Sequence, residues 1–272
     1  MQRFYSALLA GLTGLCLGGA SAPTAPTSSY PQNPVISDAQ GRPRDSTTFY
    51  FPAALASVDQ LTDKMQYSQT AYCQMALASA SANLFFFKAP VLSNYYLGND
   101  TYRFLWLRSF HRPVLLTLTQ QAGGAMLRTQ FLTKSATAPR LEQILFVPPT
   151  ASQAETARLQ QEFDAKRKDP KVQRELAEHN RPAEPLPQLE TIHSITPRQW
   201  QQVEQLLATS SFQQLPPCES STATDGAYWV FESHQANGYH MVFRHSPDKR
   251  DEFRKACEYL LELSSARKAE RY

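Results

Sequence analysis

Residues 102–107 read Tyr-Arg-Phe-Leu-Trp-Leu, with large side chains on both parities. That pattern predicts a strand covered on both faces. After a corner at Pro113, residues 114–119 and 126–132 continue with a period of two, separated by the tight-turn pair Gly123-Gly124. The three read as an antiparallel meander. Strand character returns at residues 189–195 and in two aromatic runs, Tyr228–Glu232 and Tyr239–Arg244.

Helical periodicity appears in three places. Ser57 with Gln60 three positions on forms a capping box. Leu61, Met65, Tyr72 and Met75 then recur on one face, which predicts a helix over about 57–82 with that stripe in the core. Residues 84–87 are apolar without period, and Pro90 allows them at most an edge strand. Thr196-Pro197-Arg198-Gln199 combines a cap, proline at the first helical position and a closing Gln. It predicts a helix over 197–208 burying Trp200, Val203, Leu206 and Leu207. Ser246-Pro247 predicts the start of a closing helix over 247–265.

Residues 134–187 have a different character. Pro148-Pro149 precedes a long charged helix broken at Asp169-Pro170. Its apolar stripe is thin: Leu159, Phe163, Val172 and Leu176. Such a helix packs by one narrow face as a solvated insertion, or serves as an arm for a partner.

These elements predict an α+β fold: an antiparallel sheet of about six strands packed by N-terminal, middle and C-terminal helices. The division read from the chain is a signal peptide at 1–22, a flexible lead-in at 23–47, and one α+β domain at 48–266. The charged helical insertion at about 134–187 interrupts that domain.

Composition changes this picture little. With 42% hydrophobic and 19% charged residues the chain reads as globular. A formal net charge of +3, dispersed along the sequence, excludes a strong nucleic-acid footprint. The first residues matter more. Arg3, an apolar run over residues 4–19 and Ala20-Ser21-Ala22 form a cleavable export leader. The run is too short and glycine-rich for a transmembrane span, so none is expected in the mature chain. Cys16 suits a lipoprotein site except that Leu15 stands where a small residue is wanted. Export permits disulfides. Cys73, Cys218 and Cys257 allow at most one internal bridge; Cys218 with Cys257 could staple the C-terminal unit, the alternative being three buried thiols.

The candidate chemistry lies between Thr224 and Leu263. Asp225-Gly226 predicts a turn. Tyr228, Val230 and Glu232 share one strand face, Trp229 and Phe231 the other, and a loop over residues 233–238 follows. On the return strand Tyr239, Met241 and Phe243 oppose His240, Val242 and Arg244. Glu232 then falls near Tyr239 or His240, and a carboxylate beside a histidine can act as a general base or a pair of metal ligands. Catalytic candidates are Glu232, His240 and Asp225; metal candidates are His240 and His245, with His234 in the loop. The competing expectation is a structural cross-strand pair. No paired-histidine spacing, nucleophile elbow or phosphate-cradling glycine loop accompanies them, and no cofactor is expected.

The same stretch carries a resemblance. Asp225, Gly226, Ala227, Trp229 and Glu232, then Tyr239, His240, Ser246 and Pro247, resemble a pattern in uncharacterised bacterial exported proteins. The likeness extends loosely to the Trp200 helix. It implies an exported bacterial domain and brings no known activity. The function expected is that of a non-catalytic cell-envelope protein, periplasmic or extracellular, that binds or associates with another envelope protein. The alternative is an exported hydrolase or metal-binding enzyme using Glu232, His240 and His245.

Overall fold

The strand with bulk on both parities is the centre of the sheet. In the computed structural model, which describes residues 30–52, 64–136, 145–223 and 225–272, β1 (Thr101–Arg108) is buried at every position. It pairs with β2 (Val114–Gln121) and with β5 (Ala227–Gln235), both antiparallel. β3 (Gly124–Phe131) and β4 (Thr191–Ile195) extend one side, and β6 (Gly238–His245) closes the other. The order β4-β3-β2-β1-β5-β6 makes the expected six-stranded antiparallel sheet, flanked by N-terminal, middle and C-terminal helices.

Each face has its own core. On one face Phe104, Trp106, Trp229 and Phe231 meet α4 (Pro197–Thr209) and α5 (Glu252–Leu263) through Trp200, Val203, Phe253 and Leu260. The two central indoles lie 5.6 Å apart, with Arg108 over Trp106 at 4.2 Å and Arg254 over Trp229 at 5.0 Å. Truncating either indole to Ala would cost about 3–5 kcal/mol. On the other face Leu105, Leu107, Val230 and Phe243 meet α1 (Lys64–Phe86). The capping box of α4 forms as its sequence dictates, Thr196 and Gln199 each satisfying the other's backbone N–H.

The charged middle segment forms α2 (Gln153–Lys168) and α3 (Pro170–Asn180), and Asp169 both ends the first and caps the second. Neither helix buries a residue. Among the described residues no helix is long and apolar enough to cross a membrane.

Several expectations are corrected. The Ser57 capping box lies outside the described residues. The core stripe of α1 is Cys73, Ala76, Leu77, Ala80 and Leu84, while Met75 is 62% exposed. Small residues carry the true phase, because they let the helix lie close on β1 and β5. Residues 84–86 end that helix and form no strand. In the β5–β6 hairpin, Gln235 pairs directly with Gly238, so residues 233–235 are strand and only Ala236 and Asn237 turn. Ser246-Pro247 does not start α5. Ser246 sits at φ +46°, and its Oγ accepts from the Ala227 N–H at 2.9 Å, so it closes the strand instead. Asp251 caps the helix, accepting from Phe253 N at 2.8 Å.

The cysteine pairing also differs. Cys73 on α1 is bonded to Cys218, Cα–Cα 6.1 Å, and Cys257 is free and buried in the opposite core. The sheet lies between Cys218 and Cys257, so the staple joins α1 to the loop beside β6. Of the lead-in, residues 23–29 lie outside the described residues. Tyr30 Oη shares its one hydrogen between Gln235 O and Gly238 O, and Asn94 holds both the N–H and the carbonyl of Asn33 at 2.7 Å.

Candidate functional site

Glu232 is fully buried, and its position follows from register. It pairs with Arg103 on β1, so the two long side chains leave neighbouring strands on the same face. Arg103 Nε donates to Glu232 Oε2 at 2.5 Å, and Tyr239 Oη donates to Oε1 at 2.9 Å. Burial and the adjacent Glu232 carboxylate push the Tyr239 phenol well above its ordinary range. Both oxygens of the carboxylate are therefore engaged, at 0% exposure.

The other sequence candidates lie elsewhere. His240 points to the opposite face, where its ring packs edge-on against Phe212 at 4.9 Å. His245 shares the Glu232 face but lies four residues beyond Met241, the cross-strand partner of Glu232, roughly 13 Å along the strand. Its Nδ1 shares a hydrogen bond with Tyr72 Oη at 2.9 Å, and burial pushes that phenol up to about 12. Asp225 is exposed and reaches His245 only through its backbone. Burial lowers the affinity of both His240 and His245 for a proton. Glu232, His240 and His245 thus do not converge. Among the described residues no group of three His, Cys, Asp or Glu side chains could hold a metal ion.

What the buried polar groups do instead is hold one turn. α1 ends with Lys88 in the left-handed region at φ +55°, its N–H donating to Phe85 O and that of Ala89 to Leu84 O. The carbonyls of residues 89, 90 and 92 point inward, and each of these three meets a buried side chain. Tyr50 Oη donates to Ala89 O at 2.9 Å, Arg103 Nη1 to Pro90 O at 2.5 Å, and His234 Nδ1 to Leu92 O at 2.7 Å. Val91 N donates to Gly41 O at 2.7 Å, tying the N-terminal segment alongside. Gly41 has φ +76°, and a Cβ there would stand 2.8 Å from that of Pro90, so only glycine permits the approach.

The outer surface of this turn is the floor of a groove of about 840 Å³. Phe85 and Phe86, in edge contact at 5.7 Å, and Pro90 form its apolar base. Pro43 with Arg42 makes one wall, and Ala183 to Pro185 the other. The second wall is fixed to the end of β3, where Thr133 N donates to Glu184 O at 2.9 Å and Leu186 N to Phe131 O at 2.9 Å. The rim carries Arg42 and Lys88 against Glu184. A concave, mostly apolar volume with a few charges at its edge is the usual form of a small-molecule site.

Sequence reasoning did not find this site. Its residues come from three distant segments, and the run over residues 84–87 is apolar without a period that would mark it as the end of a helix. The one local signal was the unperiodic apolar run ending in a lysine before Ala-Pro. Comparison of the chain with protein-family models, with curated proteins and with solved structures returns no match.

Proposed function

We propose that the protein is an exported, non-catalytic binding component of the cell envelope, which takes an amphipathic ligand into the groove over residues 85–90. The ligand has an elongated apolar body and an anionic head. The observation that carries this reading is the groove itself, a preformed apolar volume whose floor is pinned by Tyr50, Arg103 and His234. Preorganisation of this kind lowers the ordering cost of binding. Phe85 and Phe86 would cover the apolar body, and Lys88 would face the head, with Arg42 alongside in its ion pair to Asp38 at 2.6 Å. Export is supported by the leader pattern of the first 22 residues and by the Cys73–Cys218 bond, since disulfides persist in oxidising compartments. The alternative enzyme would need Glu232, His240 and His245 at one centre, whereas His240 lies on the opposite face and His245 lies roughly 13 Å along the strand from Glu232.

The test is displacement of 1-anilinonaphthalene-8-sulfonate by dodecanoate at pH 7.5, in wild type and in Phe86→Asp. The wild type should bind saturably at one site. Phe86→Asp should lose binding by at least about tenfold, as a charge on the floor must be desolvated. No saturable binding, or equal binding by a folded Phe86→Asp, would refute the proposal.

A further inference from the structure

His234 sits two residues beyond Glu232 on the same strand face and is fully buried. Its tautomer is dictated by its partners. Leu92 O can only accept, so Nδ1 carries the hydrogen; the Leu97 N–H can only donate, so Nε2 must be bare, at 3.0 Å. The ring is also clamped between Tyr96, stacked at 5.1 Å, and Tyr30, tilted at 5.0 Å. One imidazole therefore fixes both ends of loop 92–97.

That loop in turn holds the N-terminal wall of the groove. Asn94 bonds Asn33 N, Asn33 O and Ser37 Oγ, and its carbonyl accepts from Gln32 N at 2.8 Å. Ser93 Oγ donates to Tyr50 O at 2.8 Å. The segment so tethered includes Gln40, Arg42 and Pro43, which line the groove.

We infer that His234 is an acid-operated latch: protonation at Nε2 removes the acceptor that holds Leu97 N–H, frees loop 92–97, and with it loosens the stretch around Asn33 and Ser37 that Asn94 holds, so that the N-terminal wall of the groove gives way. A protonated ring would set an N–H against an N–H at 3.0 Å, which no rotation repairs while Nδ1 stays on Leu92. The groups facing the ring are Arg103 from β1, Glu232 from its own strand, Asp100 from the segment before β1, Tyr96 from the loop and Tyr30 from the N-terminal segment. Arg103 opposes the added charge. Glu232 favours it but is neutralised by Arg103, and Asp100 is occupied by Tyr96 Oη and Ala236 N. Burial, the largest influence, keeps the ring neutral below the ordinary imidazole range. The proton therefore enters as the clasp opens. His234 is a positioning residue, and its effect on a ligand rests on the groove reading, whereas the latch motion does not.

The experiment is amide hydrogen exchange by mass spectrometry on the full chain at pH 7.5 and 5.0, with times scaled for intrinsic exchange. In wild type, peptides covering residues 30–51 and 91–97 should lose protection at least about tenfold at pH 5.0, the scale set by one buried unsatisfied donor. Peptides covering residues 114–131 should not. In His234→Gln, neutral at position 234 at both values, peptides covering residues 30–51 and 91–97 should respond to acid no more than those covering residues 114–131. Unchanged wild-type protection, or an equal acid response in His234→Gln, overturns the latch. Nitrogen-15 NMR of wild-type histidines is a second reading: the His234 midpoint must coincide with the loss of protection, and a mismatch also overturns it. Failure of ligand binding at pH 7.5 with the latch intact would instead strike the groove reading alone.

Discussion

Replacing Glu232 with leucine tests whether its carboxylate belongs to the fold. Arg103 would keep its charge at 1% exposure, left with Pro90 O and the face of the Tyr50 ring at 6.0 Å. Removing one member of a buried ion pair costs about 3–5 kcal/mol. Tyr239 also loses its acceptor, adding about 1 kcal/mol. The total, about 4–6 kcal/mol, is a large part of the 5–15 kcal/mol typical of a domain. Arg103→Met should cost a comparable amount by stranding the carboxylate. The double variant removes both charges and loses only neutral bonds, so it should cost less than either single change. The coupling between the sites should exceed about 3 kcal/mol. Urea unfolding followed by the fluorescence of Trp106, Trp200 and Trp229 measures all four proteins at a common m-value. If Glu232→Leu costs under about 1 kcal/mol, or the double variant costs the sum of the singles, the carboxylate is not held as described.

Removing the Cys73–Cys218 bond with a Cys73→Ser/Cys218→Ser variant opens a loop of sequence separation 145. Chain entropy sets an upper bound of about 5 kcal/mol, with about 2–4 typical; calorimetry showing no fall in melting temperature would contradict it. His234, His240 and His245 are all held below the ordinary imidazole range, mainly by burial. Their folded values lie below the unfolded value of about 6.5, so their contribution is complete above that pH and declines as pH falls toward the folded values. Melting temperature should drop between pH 7.5 and 5, and an unchanged value would count against the assignment. Lys88→Gly relieves a left-handed residue at φ +55° and should stabilise by about 1 kcal/mol while weakening dodecanoate binding. Loss of stability in that variant would show that the strain is absent.

The sheet was legible because its signals are local. Bulk on both parities at residues 102–107 marks a strand covered twice, and Gly123-Gly124 marks a hairpin. Thr196-Pro197-Arg198-Gln199 carries its own hydrogen-bond instructions. The phase of α1 was misread because its buried stripe uses Ala76 and Ala80, which hydropathy ranks below the exposed Met75. Ser246-Pro247 misled because the serine hydroxyl, which could have capped a helix, is instead taken by the Ala227 N–H across the hairpin. Cys218 faces Cys73, a partner 145 residues away that strand parity cannot reveal. Glu232 was found by its proximity to Tyr239, but its main partner, Arg103, depends on β5 pairing with β1 across the whole middle of the chain. The groove joins three such distant segments, so no window of sequence contains it.

The most direct test of the account maps backbone amide shifts of isotopically labelled protein during a dodecanoate titration at pH 7.5. Saturable shifts should concentrate at Phe85 to Ala89, Arg42 and Ala183 to Glu184. Shifts centred on His245 and Tyr72, or none at all, would contradict it.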